Sequence, residues 1–296
     1  MYVTIKKATS ESVTGAAIMS VEKFAVFGGT GFIGTHLREK LTQDRTWYTN
    51  RNHTLDSNQK TSTLAAYYLT HSGASGGFDL LEAEFELILN RNLKLLEASI
   101  KATPHTKNFI FISSGGTVYG NAGVHPILES SELFPISAYG KIKKAQEKWL
   151  TEYANKLGIP YTILRPANIY GPGQKNNLMG SLIENLKQQQ AITIFGKNGV
   201  TRDFLFIDDL IEALVKVGST QGEGKVFNLG TGIGTNTIKL VNTIEKMLNL
   251  ENKSEILFTP ERAGDVKYNV LDSNLFQKSF HWKPNHLLMD GLKKTL

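Results

Sequence analysis

Four apolar residues in a row, Phe24-Ala-Val-Phe27, form the first strong element along the chain. A run this short, closed at once by Gly28-Gly-Thr-Gly-Phe-Ile-Gly34, predicts a buried strand ending in a glycine turn. From Phe32 the apolar positions take up helical spacing, through Leu37 to Leu41. Strand, turn and helix in that order make a βα unit. The alternation continues. Residues 64–69 predict a strand, followed by the loose His71-Ser-Gly-Ala-Ser-Gly-Gly77. Residues 80–100 place apolar side chains three and four apart, the stripe of a long helix. Residues 108–112 predict a strand that ends in Ser113-Ser-Gly-Gly116, residues 139–157 an amphipathic helix, and residues 161–164 another buried strand. Strands alternating with helices predict an α/β fold, a doubly wound parallel sheet of Rossmann type.

After Gly171-Pro-Gly173 the pattern changes. Helices over 178–188, 209–217 and 238–248 mix with short isolated strands over 192–195, 226–229 and 255–258. Phe204-Leu-Phe206 reads as core strand, and His281 and Trp282 as packing near a turn before Pro284. We expect a Rossmann-type unit over 20–171, with part of 203–220 packing on it, and a smaller C-terminal α/β substrate lobe over 172–296. A chain of 296 residues suits two such units.

Composition narrows the function classes. With 41% hydrophobic residues the chain can build a real core, which argues against disorder. No segment approaches ~18 uninterrupted apolar residues, so no membrane span is expected. The absence of cysteine removes disulfides, thiol nucleophiles and cysteine metal sites, and fits a reducing compartment. The first 20 residues lack an apolar h-region and an arginine-rich pattern, so the expectation is a loosely ordered tail without a targeting signal and a cytoplasmic location. The seven histidines are scattered without metal-ligand spacing, and no metal is expected. His71 reads as a loop residue, with a place in the substrate pocket as the alternative. There is no nucleic-acid module and no GxSxG elbow. Net charge is +6, from 33 basic and 27 acidic residues. The densest cluster, Lys141, Lys143, Lys144 and Lys148, is interrupted by Glu147 and Glu152. It reads as a solvated helix face, or as an attraction for phosphate-bearing small molecules.

Two constellations carry chemistry. Gly28, Gly31 and Gly34 follow a strand and open a helix, the setting of a dinucleotide site. The first glycine permits the tight turn, the second a close approach of backbone to a pyrophosphate, and the third close packing of helix on strand. Phe32, Ile33 and Gly34 lie in the first turn of the helix, whose free N–H groups suit phosphate. The second strand, over 46–51, ends in Asn50, Arg51 and Asn52 where such folds usually place a carboxylate on the ribose. Arg51 suits a 2′-phosphate, so NADP is slightly favoured over NAD.

The second constellation is Tyr139-Gly-Lys-Ile-Lys143, which puts Tyr139 and Lys143 four apart on one helix face. A phenol is a poor base at pH 7, with an ordinary pKa of about 10. The Lys143 ammonium and a cationic nicotinamide would both favour the phenolate. Bringing it to about 7 takes roughly 4 kcal/mol of differential interaction. Tyr139 then takes a hydroxyl proton as a hydride leaves, or returns one to a carbonyl.

These stretches occur in order with Phe111-Ile-Ser-Ser-Gly-Gly-Thr-Val-Tyr-Gly120, Leu164-Arg-Pro-Ala-Asn-Ile-Tyr-Gly-Pro-Gly173 and Arg202-Asp-Phe-Leu-Phe-Ile-Asp-Asp209. Together the five motifs resemble the extended short-chain dehydrogenase/reductase family, in its NAD-dependent epimerase/dehydratase branch, over roughly residues 22–296. The resemblance implies a nucleotide-activated sugar as substrate, most simply a UDP-sugar, and 4-epimerisation through a 4-keto intermediate. It also implies that Lys143 holds the nicotinamide ribose, that Asn168 faces the sugar nucleotide, that Arg202 and Arg262 meet the diphosphate, and that helices 80–100 and 139–157 pair in a homodimer.

Three departures from the family pattern matter. Anchored on Val118-Tyr119-Gly120, the family's catalytic Ser/Thr falls at Gly115, so the polarising hydroxyl passes to Ser114, favoured, or Thr117. The Asp-Glu pair of dehydratases is replaced by Gly116 and Thr117, which disfavours elimination of water. Between Arg51 and Leu64 there is too little chain for the family's helix, strand and helix. Either a strand and its adenine-side contacts are lost, which as an interior strand would open the sheet beside the cofactor, or the sequence omits residues there. The alternative functions are an NADPH-dependent nucleotide-sugar 4-ketoreductase, using the same residues, and a non-catalytic NAD(P)-binding relative.

Overall fold

The computed structural model describes residues 23–41, 46–49, 63–71, 81–175, 177–250, 255–262 and 264–296. In chain order the elements are β1 (Lys23–Phe27), α1 (Phe32–Lys40), β2 (Thr46–Thr49), β3 (Thr63–Tyr68), α2 (Glu82–Ala102), β4 (Phe109–Ile112), α3 (Ala138–Leu157), β5 (Tyr161–Pro166), β6 (Asn168–Tyr170), α4 (Leu178–Lys187), β7 (Ile192–Phe195), β8 (Thr201–Phe206), α5 (Ile207–Gly218), β9 (Lys225–Leu229), β10 (Gly234–Asn236), α6 (Thr237–Met247), β11 (Ile256–Thr259), β12 (Tyr268–Asn269), α7 (Asn274–Phe280) and α8 (Leu288–Thr295).

Six parallel strands make the main sheet in the order β2-β1-β3-β4-β5-β9. Helices cover both faces, which is why β4 and β5 are buried at every position and show no apolar–polar alternation. On one face α1 meets α5 over Val26, Leu37, Tyr67 and Leu214; on the other α2 meets α3 over Phe111, Leu96 and Leu150. The chain leaves β1 for β2 on one side, while β3 flanks β1 on the other. The segments after β1 and β3 therefore diverge, and a crevice opens at the carboxyl ends of these strands.

The doubly wound expectation is met, with two corrections. Lys225–Leu229, expected as an isolated strand of the smaller lobe, is the sixth strand of the main sheet, paired with β5. The shortage of chain between Arg51 and Leu64 does not open the sheet beside the crevice, because β3 pairs directly with β1 and, among the described residues, β2 forms the edge. The expected tail over residues 1–20, the loop 72–77 and Arg51 lie outside the described residues. Beyond β5, β8 forms the centre of a second sheet, flanked by β10, β12 and β6, while β7 pairs with β11. His281 ends α7 in a left-handed conformation, and Trp282 is buried, its indole N–H donating to the Asp209 carbonyl at 3.2 Å. No helix among the described residues is long and apolar enough to cross a membrane.

Candidate active site

The turn after β1 is built as its glycines demand. Gly28 sits at φ 89°, a left-handed conformation that a side chain would strain, and its carbonyl accepts the Gly31 N–H at 3.0 Å. At Gly34 a Cβ would lie 2.3 Å from the Gly28 carbonyl oxygen and 2.6 Å from the Gly29 Cα. Helix and turn are thus packed backbone to backbone. Gly31 precedes the first helical residue, so the free N–H groups of the first turn of α1 point into the crevice.

The crevice has a volume of about 450 Å³, in the range of small-molecule and cofactor sites. Gly28, Gly31, Phe32, Ile33 and Gly34 line one wall. Ser114, Thr117, Tyr139 and Lys143 line the middle, and Asn168 and Arg202 the far side. The glycine cradle, open to the crevice where any other side chain would intrude, fits the pyrophosphate of a dinucleotide.

Ser137 caps α3 by accepting the Gly140 N–H at 3.2 Å, which starts the helix just where Tyr139 must face the crevice. Burial pushes the Tyr139 phenol up to about 12, while a hydrogen bond with Ser114 pulls it down. Lys143 is buried; its Nζ donates to the Ile112 carbonyl at 2.8 Å and lies 5.9 Å from the centre of the Tyr139 ring. Burial brings Lys143 down to about 8, with Glu147 pulling the other way. Burial is thus the largest influence on the phenol within the protein itself, and the Lys143 ammonium is engaged with a backbone oxygen.

Of the two hydroxyls weighed, Ser114 is the one that lowers the phenol, whereas Thr117 Oγ1 donates to the Ser114 carbonyl at 3.5 Å. Gly115 has no room for a side chain: its Cβ would lie 2.5 Å from Leu271 Cδ1 and 2.7 Å from the Arg165 carbonyl oxygen. At Gly116 a Cβ would stand 2.9 Å from Asn168 Oδ1, so the paired glycines let Asn168 approach the backbone.

Arg202 is buried on β8 and pairs with Asp265 at 2.7 Å. Its neighbour Asp203 accepts from Thr231 N, Thr231 Oγ1, Gly232 N and Leu271 N, which locks this strand under the crevice. Arg262 lines an adjoining cavity that shares Arg202 and Asp265, its guanidinium 3.9 Å from the centre of the Phe195 ring. His71, expected first as a loop residue, stands in the crevice at the end of β3, its ring edge-to-face with Tyr139 at 4.7 Å. Sequence reasoning missed Glu147 and Arg165 altogether. The available signal was the spacing of Glu147, four residues after Lys143 on the same helix face.

A glycine turn at the switch point of a parallel sheet, with a Tyr–Lys pair facing it from the next crossover but one, defines a dinucleotide-dependent enzyme of the short-chain dehydrogenase/reductase type. Residues 24–230 match the family model described as the NAD dependent epimerase/dehydratase family, and the chain belongs to that family. It is 33% identical over 203 residues to a UDP-glucose 4-epimerase of Mycolicibacterium smegmatis, covering 67% of this chain and 62% of that protein. It is 31% identical over 194 residues to a dTDP-4-dehydro-6-deoxyglucose reductase of Escherichia coli, covering 64% of this chain and 60% of that protein. The chain thus spans about three fifths of the length of each. A solved structure of UDP-glucose 4-epimerase with UDP-glucose from Thermotoga maritima superposes with a TM-score of 0.77 at 29% identity, covering 92% of this chain and 97% of that one.

Proposed function

We propose that this enzyme is an NAD-dependent 4-epimerase of a nucleotide-activated sugar, with UDP-hexoses as the first candidates. One observation carries the reading: Tyr139, one turn from Lys143, shares a crevice with Ser114, the glycine turn and the buried Arg202. Bound nicotinamide supplies a reversible hydride acceptor. Tyr139 takes the proton of the sugar C4 hydroxyl as that carbon becomes a ketone, and returns it to the same oxygen after the sugar has turned over. Ser114 holds that oxygen, and the charge of Lys143 favours the phenolate. Arg202 and Arg262 are forked, permanently charged donors suited to a diphosphate, and Asn168 faces the sugar between them and Tyr139. In this reading residues 20–171 hold the cofactor, together with the sixth sheet strand, and the remainder of 172–296 holds the nucleotide. The NADP preference rested on Arg51; NAD accords with the family.

Purified enzyme should interconvert UDP-glucose and UDP-galactose without net oxidation or reduction, followed by chromatography of the nucleotide sugars. Stoichiometric consumption of NADPH with a 4-keto-sugar would replace epimerisation by reduction, the second reading that the E. coli reductase supports. No turnover with any UDP-, dTDP- or GDP-sugar would reject both. We further propose a cytoplasmic homodimer paired through α2 and α3, whose outer faces expose Leu87 and Leu157. Gel filtration should show twice the chain mass, and elution as monomer alone rejects the pairing.

A further inference from the structure

Behind the crevice lies a buried charge network that reaches it through Ser113. Helix α3 spaces Tyr139, Lys143 and Glu147 four apart, so they form one stripe. The stripe enters the protein as it leaves the crevice: Glu147 is 4% exposed and Arg165, on β5, 5%. Arg165 grips Glu147 in a fork, with Nη2 2.6 Å from Oε2 and Nε 3.0 Å from Oε1. Ser113 donates its hydroxyl to the same carboxylate. The other arm of Arg165 donates to the Tyr119 hydroxyl at 2.8 Å and to the Glu129 carbonyl at 3.2 Å. Tyr119 in turn donates to Asn228 Oδ1 on β9 at 2.7 Å.

A buried ion pair adds little net stability against a well-packed apolar pair, so its presence calls for another explanation. Two consecutive residues at the end of β4 are tied to two consecutive members of the stripe. The Ile112 carbonyl accepts Lys143 Nζ, and the Ser113 hydroxyl meets Glu147. The next residue is Ser114, which lines the crevice with Tyr139. We propose that Glu147, held by Arg165, is a positioning residue for the proton-transfer pair: its bond to Ser113 fixes the end of β4, where the Ile112 carbonyl holds the Lys143 ammonium one helical turn from Tyr139. This inference rests on the catalytic reading of Tyr139 and Lys143.

The groups facing Lys143 support the assignment. From α3 come Tyr139 and Glu147. From β4 come the Phe111 ring, 4.9 Å from Nζ, the Ile112 carbonyl and Ser113. From β5 comes Arg165, on the far side of Glu147, and at the end of β3 is His71, packed on the Tyr139 ring. Glu147 is the one carboxylate in this set. Burial alone drags the lysine toward neutrality, and Glu147 opposes it.

The test is direct titration of Lys143 in the enzyme without substrate, by NMR of ¹³Cε-labelled lysine, with Lys143→Arg identifying the resonance. In the wild type burial should hold the midpoint below the ordinary lysine value, at about 8. In Glu147→Gln, which keeps the size of the side chain and most of its hydrogen bonds, it should fall by about one pH unit. The alkaline limb of kcat should move down with it. An unmoved midpoint in folded Glu147→Gln overturns the proposal. If that variant does not fold, the pair Glu147→Leu with Arg165→Met, which strands no charge, should move the midpoint less, because the Arg165 cation leaves with the carboxylate, but should still lower kcat by loosening the end of β4; an unmoved midpoint together with wild-type kcat there is equally fatal. Failure of the catalytic reading looks different: Lys143 titrates as described, but Tyr139→Phe leaves turnover intact.

Discussion

Replacing Tyr139 with Phe should lower kcat by about 10²- to 10⁴-fold, the span of a lost general acid–base group, while the melting temperature and cofactor affinity stay near wild type. The phenyl ring keeps the packing: its edge-to-face contact with His71 does not need the hydroxyl. Only the hydroxyl, which lies in the crevice with Ser114, is removed. Burial holds that hydroxyl up at about 12, so at neutral pH it starts as a neutral acid. The sign follows for each direction. Taking a proton from the sugar requires the phenolate, so that step quickens as pH rises. The rise ends where Lys143, near 8, loses its charge and no longer favours the phenolate. Giving a proton to the ketone requires the phenol and is already well served at neutral pH. A Tyr139→Phe enzyme as active as wild type would mean that the crevice binds its ligands without using this proton acceptor, and would favour the non-catalytic reading.

How much of this was legible in the sequence depends on whether the cause was local. The β1–turn–α1 unit was, because a short apolar run, three spaced glycines and a change to helical period all sit within a dozen residues. Helix α3 and its Tyr–Lys pair were legible for the same reason. The place of Lys225–Leu229 was not. Its parallel partner β5 lies some sixty residues earlier, and nothing in the alternation of a short buried strand names its neighbour. Where the short stretch after Arg51 falls in the sheet was not legible either, since strand order, not strand number, decides whether a loss lies at an edge.

At the site, most of the residues named from the motifs come together in one crevice. Proximity of Tyr139 and Lys143 suggested a phenol acidified by its lysine and a cationic nicotinamide; burial, invisible in spacing, adds an opposing effect that moves each side chain toward its neutral form. Glu147 was hidden in plain view. Among Lys141, Lys144, Lys148 and Glu152 it looked like one more solvated charge, yet it faces inward onto Arg165. Gly115 shows the converse. The departure from the family hydroxyl was visible, but its reason was not: Leu271 and the Arg165 carbonyl, distant in sequence, fill the space a side chain would need.

The glycine turn allows stability and ligand binding to be separated by two substitutions of the same size. Gly34→Ala places a carbon 2.3 Å from the Gly28 carbonyl oxygen and 2.6 Å from the Gly29 Cα, both backbone atoms that cannot swing aside. Helix α1 must back away from β1 or the turn must open, and overpacking of this kind costs about 1–3 kcal/mol. We expect a melting temperature lower by several degrees, and NAD binding weakened by about tenfold or more because the cradle itself is displaced. Gly31→Ala meets only the Gly28 carbonyl, at 3.4 Å, an ordinary contact. That variant should melt near wild type. Its methyl group nevertheless stands where the backbone must lie bare against a pyrophosphate, so its NAD affinity should fall while its fold does not. Calorimetric melts and NAD titrations of the two variants decide the matter. If Gly31→Ala binds NAD as well as wild type, the cradle does not receive the pyrophosphate. If Gly34→Ala melts unchanged, the close packing of turn on helix is not what holds the crevice open.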